Sequence, residues 1–225
     1  MNPHQMNEQI IAIGDIHGCL KTVKALWKKL EPHSDHIHLF IGDYIDRGPD
    51  SKGVVDFLLK KKNERKCVFL RGNHEQMLLD ALEKGDAYNW MLNGGDTTLK
   101  SYGDQVRVNE IPQDHIDFYT LTLPYYETDN YFFVHAGAPP HQTLKESKSD
   151  PEARKFFLWG REHLNAAETA WEKTVVFGHT PRSSPIKKNK MIGIDTGCVY
   201  NRLGYGKLTA VQLPEMKFFQ QSSLD

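Results

Sequence analysis

Five short, mostly apolar runs in this chain each meet a glycine at or within three residues of their end, and each hands over at once to aspartate, histidine or asparagine. Ile10 to Ile13 leads into Gly14-Asp15-Ile16-His17-Gly18. Ile37 to Ile41 leads into the stretch GDYIDRG (42–48), and Cys67 to Leu70 into RGNHE (71–75). Later, Tyr131 to Val134 leads into His135-Ala136-Gly137, and Val175 to Phe177 into Gly178-His179-Thr180. Runs of three to five residues bounded by glycine read as buried strands rather than helices. In open α/β sheets, ligand sites lie at the carboxyl ends of strands. Five ends that deliver this set of side chains therefore point to one shared site.

Between the first runs lie helical stretches. Val23, Leu26, Trp27 and Leu30 share one face of a segment from about Leu20 to Leu30, and further helices are expected at Val54 to Leu59 and Met77 to Leu82. Three strand–helix units in succession argue for an α/β fold with an at least partly parallel sheet. The region of about 85–123 reads as a more polar, mostly helical insertion with a break at Asn93, Gly94 and Gly95. The last third is strand-rich, with further candidates at Met191 to Ile194 and Leu208 to Leu213. Ser149 and Asp150 before Pro151 mark a helix start, whereas the charged KESKSDPEARK around it reads as a solvated loop leading into that helix. With 225 residues, 39% of them hydrophobic, one core suffices, and residues 1–225 are expected to form a single domain.

The formal net charge of −1 gives no whole-chain attraction to nucleic acid or to an anionic membrane, so neither is expected as a partner. Cys19, Cys67 and Cys198 form no CxxC pair, which argues against a disulfide framework or a thiolate metal site. Cys19 and Cys198 read as packed small residues. The polar start MNPHQMNEQ has neither the basic nor the apolar stretch of a secretion signal, and a cytoplasmic location is expected.

Asp15 and His17, two apart in extended backbone, point to the same side. Carboxylates, imidazoles and a carboxamide without thiolate suit manganese, iron or zinc ions rather than copper(I) or iron–sulfur clusters. Two carboxylates and a hydroxide cannot neutralise two divalent cations, so such a site would attract anions. His4, His33, His36, His38, His115, His141 and His163 fall outside these motifs and read as structural or solvated.

GDIHG, GDYIDRG, RGNHE, HAG and GHT, in this order, resemble the signature of the PPP superfamily of metallophosphatases, over roughly Ile10 to Leu213. The resemblance implies a four-layered α/β/β/α sandwich with mixed sheets and two divalent metal ions, expected to be manganese, with iron or zinc as alternatives. It places Asp15 and His17 on one ion, Asp43 between the two, and Asn73, His135 and His179 on the second. His74 would be the general acid, held by Asp46. Arg47 and Arg161, with Asn73, would hold the substrate phosphate. Related bacterial sequences usually carry an aliphatic residue where Gly160 stands, so the loop bearing Arg161 is expected to be more mobile. The implied reaction is direct in-line attack on phosphorus by a hydroxide shared between the ions.

The stretch WMLNGGDTTLKSYG (90–103) resembles the bacterial and bacteriophage lambda-type protein phosphatases. It favours a monomeric Ser/Thr phosphoprotein phosphatase, with tyrosine phosphate as a further substrate. The alternative is a dinucleoside polyphosphate hydrolase, which needs an aromatic platform for a base, and Trp90, Tyr102 and Tyr125 are the candidates. A metal-binding module without catalysis is a third reading, against which His74, Asp46 and all the ligand positions are present.

Overall fold

The computed structural model describes residues 9–225, so the reading of His4 lies outside the described residues. The chain opens with three strand–helix units: β1 (Ile10–Ile13), α1 (Leu20–Leu30), β2 (Ile37–Phe40), α2 (Ser51–Glu64), β3 (Cys67–Phe69) and α3 (Asn73–Lys84). The segment that follows, read above as an insertion, is helical. It holds α4 (Tyr88–Trp90), a π-helical turn (Met91–Gly95), α5 (Asp96–Tyr102) and α6 (Gln113–Thr120). The remaining elements are β4 (Tyr125–Glu127), β5 (Tyr131–Val134), α7 (Leu144–Ser149), α8 (Pro151–Trp159), β6 (Thr174–Phe177), β7 (Ile186–Lys188), β8 (Met191–Gly193), β9 (Asp195–Thr196), β10 (Lys207–Leu213) and β11 (Lys217–Ser222).

The strands form two mixed sheets, ordered β11-β10-β1-β2-β3, with β9 also on β10, and β4-β5-β6-β8-β7. Strands β1, β2 and β3 are mutually parallel, as are β5, β6 and β8. Strand alternation assigns the layers. Ile11 and Ile13 face a core shared with Val23, Leu26 and Trp27 of α1 and with Val54 and Leu58 of α2. Their neighbours Ile10 and Ala12 face a second core with Phe133, Val176 and Ile192 of the other sheet. A third core joins Phe132, Val134 and Val175 to Phe157 of α8. Three cores between four layers give the α/β/β/α sandwich. Every strand that carries a motif runs parallel to its motif-bearing neighbour, so the motifs collect at one end.

The segment 144–149, read as solvated loop, is instead helix α7. Thr143 accepts from the Glu146 amide while the Glu146 carboxylate accepts from the Thr143 amide, a reciprocal cap that stabilises a charged helix at the surface. Helix α8 starts at Pro151 with Asp150 accepting from the Glu152 amide. No helix among the described residues is long and apolar enough to cross a membrane.

Candidate metal centre and active site

The backbone at the strand ends is strained where the site is built. His17, Asp43, Asp46, Arg47 and His179 all adopt positive φ, between 47° and 71°. Non-glycine residues rarely sit there, and such strain persists only where surrounding bonds fix it. At Asp43 the fixing group is Glu75, the last residue of RGNHE. Its buried carboxylate accepts the backbone N–H groups of Asp43, Tyr44 and Gly72 at 2.8–2.9 Å. Gly42 must be glycine: φ is +110°, and a Cβ would lie 2.5 Å from the Gly72 nitrogen.

The side chains converge in two groups. Asp43, His135 and His179 form one, and His17, Asp43 and His74 the other, with the ligand atoms of each group within 4.8 Å of one another. In the first, His135 Nε2 lies 2.9 Å from Asn73 Oδ1, 3.2 Å from His179 Nδ1 and 3.4 Å from Asp43 Oδ1. His135 donates its Nδ1–H to the Ile41 carbonyl, so Nε2 carries only a lone pair. Two acceptors, His135 Nε2 and Asn73 Oδ1, thus face each other with no hydrogen between them, and His179 Nε2 has no partner. Packed acceptors of this kind call for a cation. In the second group, His17 donates Nδ1–H to the Ile45 carbonyl and turns Nε2 toward Asp43 Oδ2 at 3.5 Å. Asp15 is buried beside the cluster and accepts the His179 amide at 2.9 Å. The residues present therefore fit divalent ions, and Asp43 alone belongs to both groups.

The proton affinities sort the imidazoles. Burial and the neighbouring imidazoles lower His17 to about 3 and His179 to about 2, and burial lowers His135 too. These rings are neutral, with lone pairs free for an ion. His74 differs. Burial would lower it, but the Asp43 charge and the Asp46 bond together raise it above the ordinary histidine value. Burial also opposes charge on Asp43, yet His135, His74, His17 and His179 hold its carboxyl below the usual range. His74 alone of these rings has its proton affinity raised rather than lowered, which suits a proton donor.

His74 is positioned by a chain of donors. Its Nδ1–H donates to Asp46 Oδ2 at 2.6 Å, while its Nε2 has no partner in the protein. Asp46 in turn accepts from the Trp90 indole at 2.9 and 3.0 Å and from the Thr98 hydroxyl at 2.6 Å. Both come from the helical insertion, and the Gly94 carbonyl accepts the Arg47 amide at 3.3 Å. Sequence reasoning missed this role for the insertion. Of the expected platforms, Trp90 is buried on Asp46. Tyr102 is bonded to His115, and Tyr125 is stacked on Phe132. Trp90 is therefore closed to a base, while Tyr102 and Tyr125 are half-buried against these partners.

Arg47 and Arg161 are both exposed beside the cluster. Arg47 Nη1 donates to His17 Nε2 at 2.9 Å, and Arg161 Nε to Thr180 Oγ1 at 3.2 Å. Arg161 follows the last turn of α8 and belongs to no helix face. Gly160 before it is a packing glycine, since a Cβ would lie 1.8 Å from the Phe156 ring. Asp195, another residue missed, is buried with its carboxylate on the Gly197 amide, and burial pushes its pKa up to about 7. It begins just after the apolar run Met191–Ile194, a sixth strand end of the same kind.

The family description of calcineurin-like phosphoesterases matches residues 9–202. The chain belongs to that family. It is a metallophosphoesterase. Bis(5'-nucleosyl)-tetraphosphatase PrpE [asymmetrical] of Oceanobacillus iheyensis is 30% identical over 240 residues, covering 96% of this chain and 92% of the relative. Serine/threonine-protein phosphatase 1 of Salmonella typhimurium is 28% identical over 235 residues, covering 95% and 99%. Among solved structures, a candidate diadenosine tetraphosphatase superposes with a TM-score of 0.70 at 23% identity, covering 98% of this chain and 96% of that one. A serine/threonine phosphatase of Saccharomyces cerevisiae with similarity to human PP5 gives 0.65 at 17% identity, covering 100% and 82%. These structural likenesses establish the fold.

Proposed function

We propose that this metallophosphoesterase hydrolyses dinucleoside tetraphosphates, using Asp15, His17, Asp43, Asn73, His135 and His179 to hold two divalent ions. The observation that carries the substrate choice is the likeness to an asymmetrical bis(5'-nucleosyl)-tetraphosphatase over nearly the whole of both chains. The preference for phosphoproteins rested on the stretch 90–103. That stretch supplies Trp90, Gly94 and Thr98, which serve Asp46 and Arg47, and so it supports the acid and the phosphate grip, which both substrate classes would use. Phosphoprotein hydrolysis remains the second reading, favoured by the Salmonella relative.

When bound, the ions would supply Lewis acidity and an acidified water. The chain's own residues do the rest. Arg47 and Arg161 grip the phosphate oxygens, for which a planar guanidinium can donate two bonds at once. Asn73 lies between the ligand histidines and can reach the same phosphate. His74 delivers the proton on Nε2 to the leaving oxygen, and Asp46 fixes its ring and raises its proton affinity.

A substrate panel on the manganese-loaded protein tests this reading. Diadenosine tetraphosphate should be cut to unequal products, ATP and AMP, far faster than a phosphoserine peptide loses phosphate. Rapid peptide dephosphorylation with no tetraphosphate turnover would overturn it.

A further inference from the structure

Resting on the tetraphosphate reading, we infer that Trp159 is the stacking platform for one nucleobase of the substrate. Three of the four tryptophans are buried: Trp27 at 5% exposure, Trp90 at 1% and Trp171 at 1%. Two of these have committed indole nitrogens, Trp90 to Asp46 and Trp171 to the Pro139 carbonyl. Trp159 is 44% exposed. An isolated exposed apolar side chain is ordinary on a protein surface. The position of this one is what matters.

Trp159 is the last residue of α8, and its ring is perpendicular to that of the ligand histidine His179, centroids 6.2 Å apart at 88°. Two residues later Arg161 reaches Thr180, directly after His179. A flat aromatic surface and a guanidinium therefore flank the same side of the metal cluster. This order of groups matches a nucleotide end, an aromatic base followed by phosphates. The phosphates would meet Arg161 and the cluster while the base stacks on the exposed part of the indole. Stacking of this kind is tolerant of which base is bound, and indole offers a large rigid surface at small entropic cost. A phosphoserine peptide has no equivalent group, so Trp159 would separate the two substrate classes.

The test compares wild type, Trp159→Ala and Trp159→Phe, all loaded with manganese. KM is measured for diadenosine tetraphosphate and, on the same variants, for inorganic tripolyphosphate, which has no base. The Ala variant should raise the KM ratio of the first to the second on the order of tenfold, and the Phe variant should restore most of it. Titrating wild type with the tetraphosphate should quench indole emission, a signal that the Phe variant loses because its other tryptophans are buried. Equal KM changes for both substrates, or no quenching, would overturn the platform while leaving tetraphosphate hydrolysis intact. Wild type that turns over phosphopeptide but not the tetraphosphate would instead remove the functional reading, and the platform with it.

Discussion

Replacing Asp46 by Asn tests the proton-donor chain with almost no change in shape. Asp46 offers oxygens in every direction it faces: Oδ2 accepts from His74 Nδ1 and Trp90, and Oδ1 from Thr98 and Trp90. An asparagine must turn its NH2 toward one of these donors. Against Trp90 and Thr98 it faces two hydrogens, and against His74 it removes the acceptor that holds Nδ1–H. Either way a buried, charge-assisted hydrogen bond is lost, worth roughly 1.5–3 kcal/mol. At about 1.4 kcal/mol per tenfold, kcat should fall roughly 10–100-fold. The general acid's own contribution of about 10²–10⁴ is the ceiling. The assay is kcat on phenyl phosphate and on p-nitrophenyl phosphate. The loss should be larger for phenyl phosphate, whose leaving group needs the proton more. The double variant Asp46→Asn/His74→Asn should be no slower than His74→Asn alone, because one residue acts through the other. Equal losses on both substrates, or additive losses in the double variant, would refute the chain.

Trp90→Phe removes a single donor from the same carboxylate while keeping an aromatic ring in the core. It should lower kcat several-fold with little change in KM, and a leaving-group dependence in that loss is the check. Gly42→Ala forces a Cβ against Gly72 at a positive φ, and denaturant unfolding should show a loss of about 3 kcal/mol or more. His163 is buried among Phe177, Trp171 and Phe156, without a hydrogen-bond partner, and burial lowers its pKa to about 4. The unfolded chain, near 6.5, takes up this proton first. Its contribution is therefore full above about pH 6.5 and is lost as pH falls toward 4, about 2 kcal/mol of it by pH 5. Urea midpoints at pH 7.5 and pH 5 should differ less in His163→Leu than in wild type.

What was legible in the sequence was what is local. Helix α1 begins and ends at Leu20 and Leu30 as its periodicity predicts, because its apolar face is complete within those residues. The five motif ends meet because parallel strands carry them, β1, β2 and β3 in one sheet and β5 and β6 in the other. Half-exposed edge strands were not legible. Tyr125–Glu127 and Lys217–Ser222 mix polar and aromatic residues and lack clean apolar–polar alternation. Long-range hydrogen bonds were hidden too. Trp90 and Thr98 reach Asp46 across 44 and 52 residues. Helix α1 has no side-chain cap of its own, and Asp225 accepts its first free amides, at Lys21 and Thr22, from the far end of the chain. Trp159 was passed over because a tryptophan at a helix end carries no local sign of exposure.

The strand ends gather their candidate cation ligands into one cluster centred on Asp43. Equilibrium dialysis of the protein stripped with chelator against manganese tests it most directly. About two ions should bind per chain in wild type, and Asp43→Asn should lose tight binding of both, since only Asp43 faces both groups. Binding of two ions that is unaffected by Asp43→Asn, or no tight binding by wild type, would contradict the account.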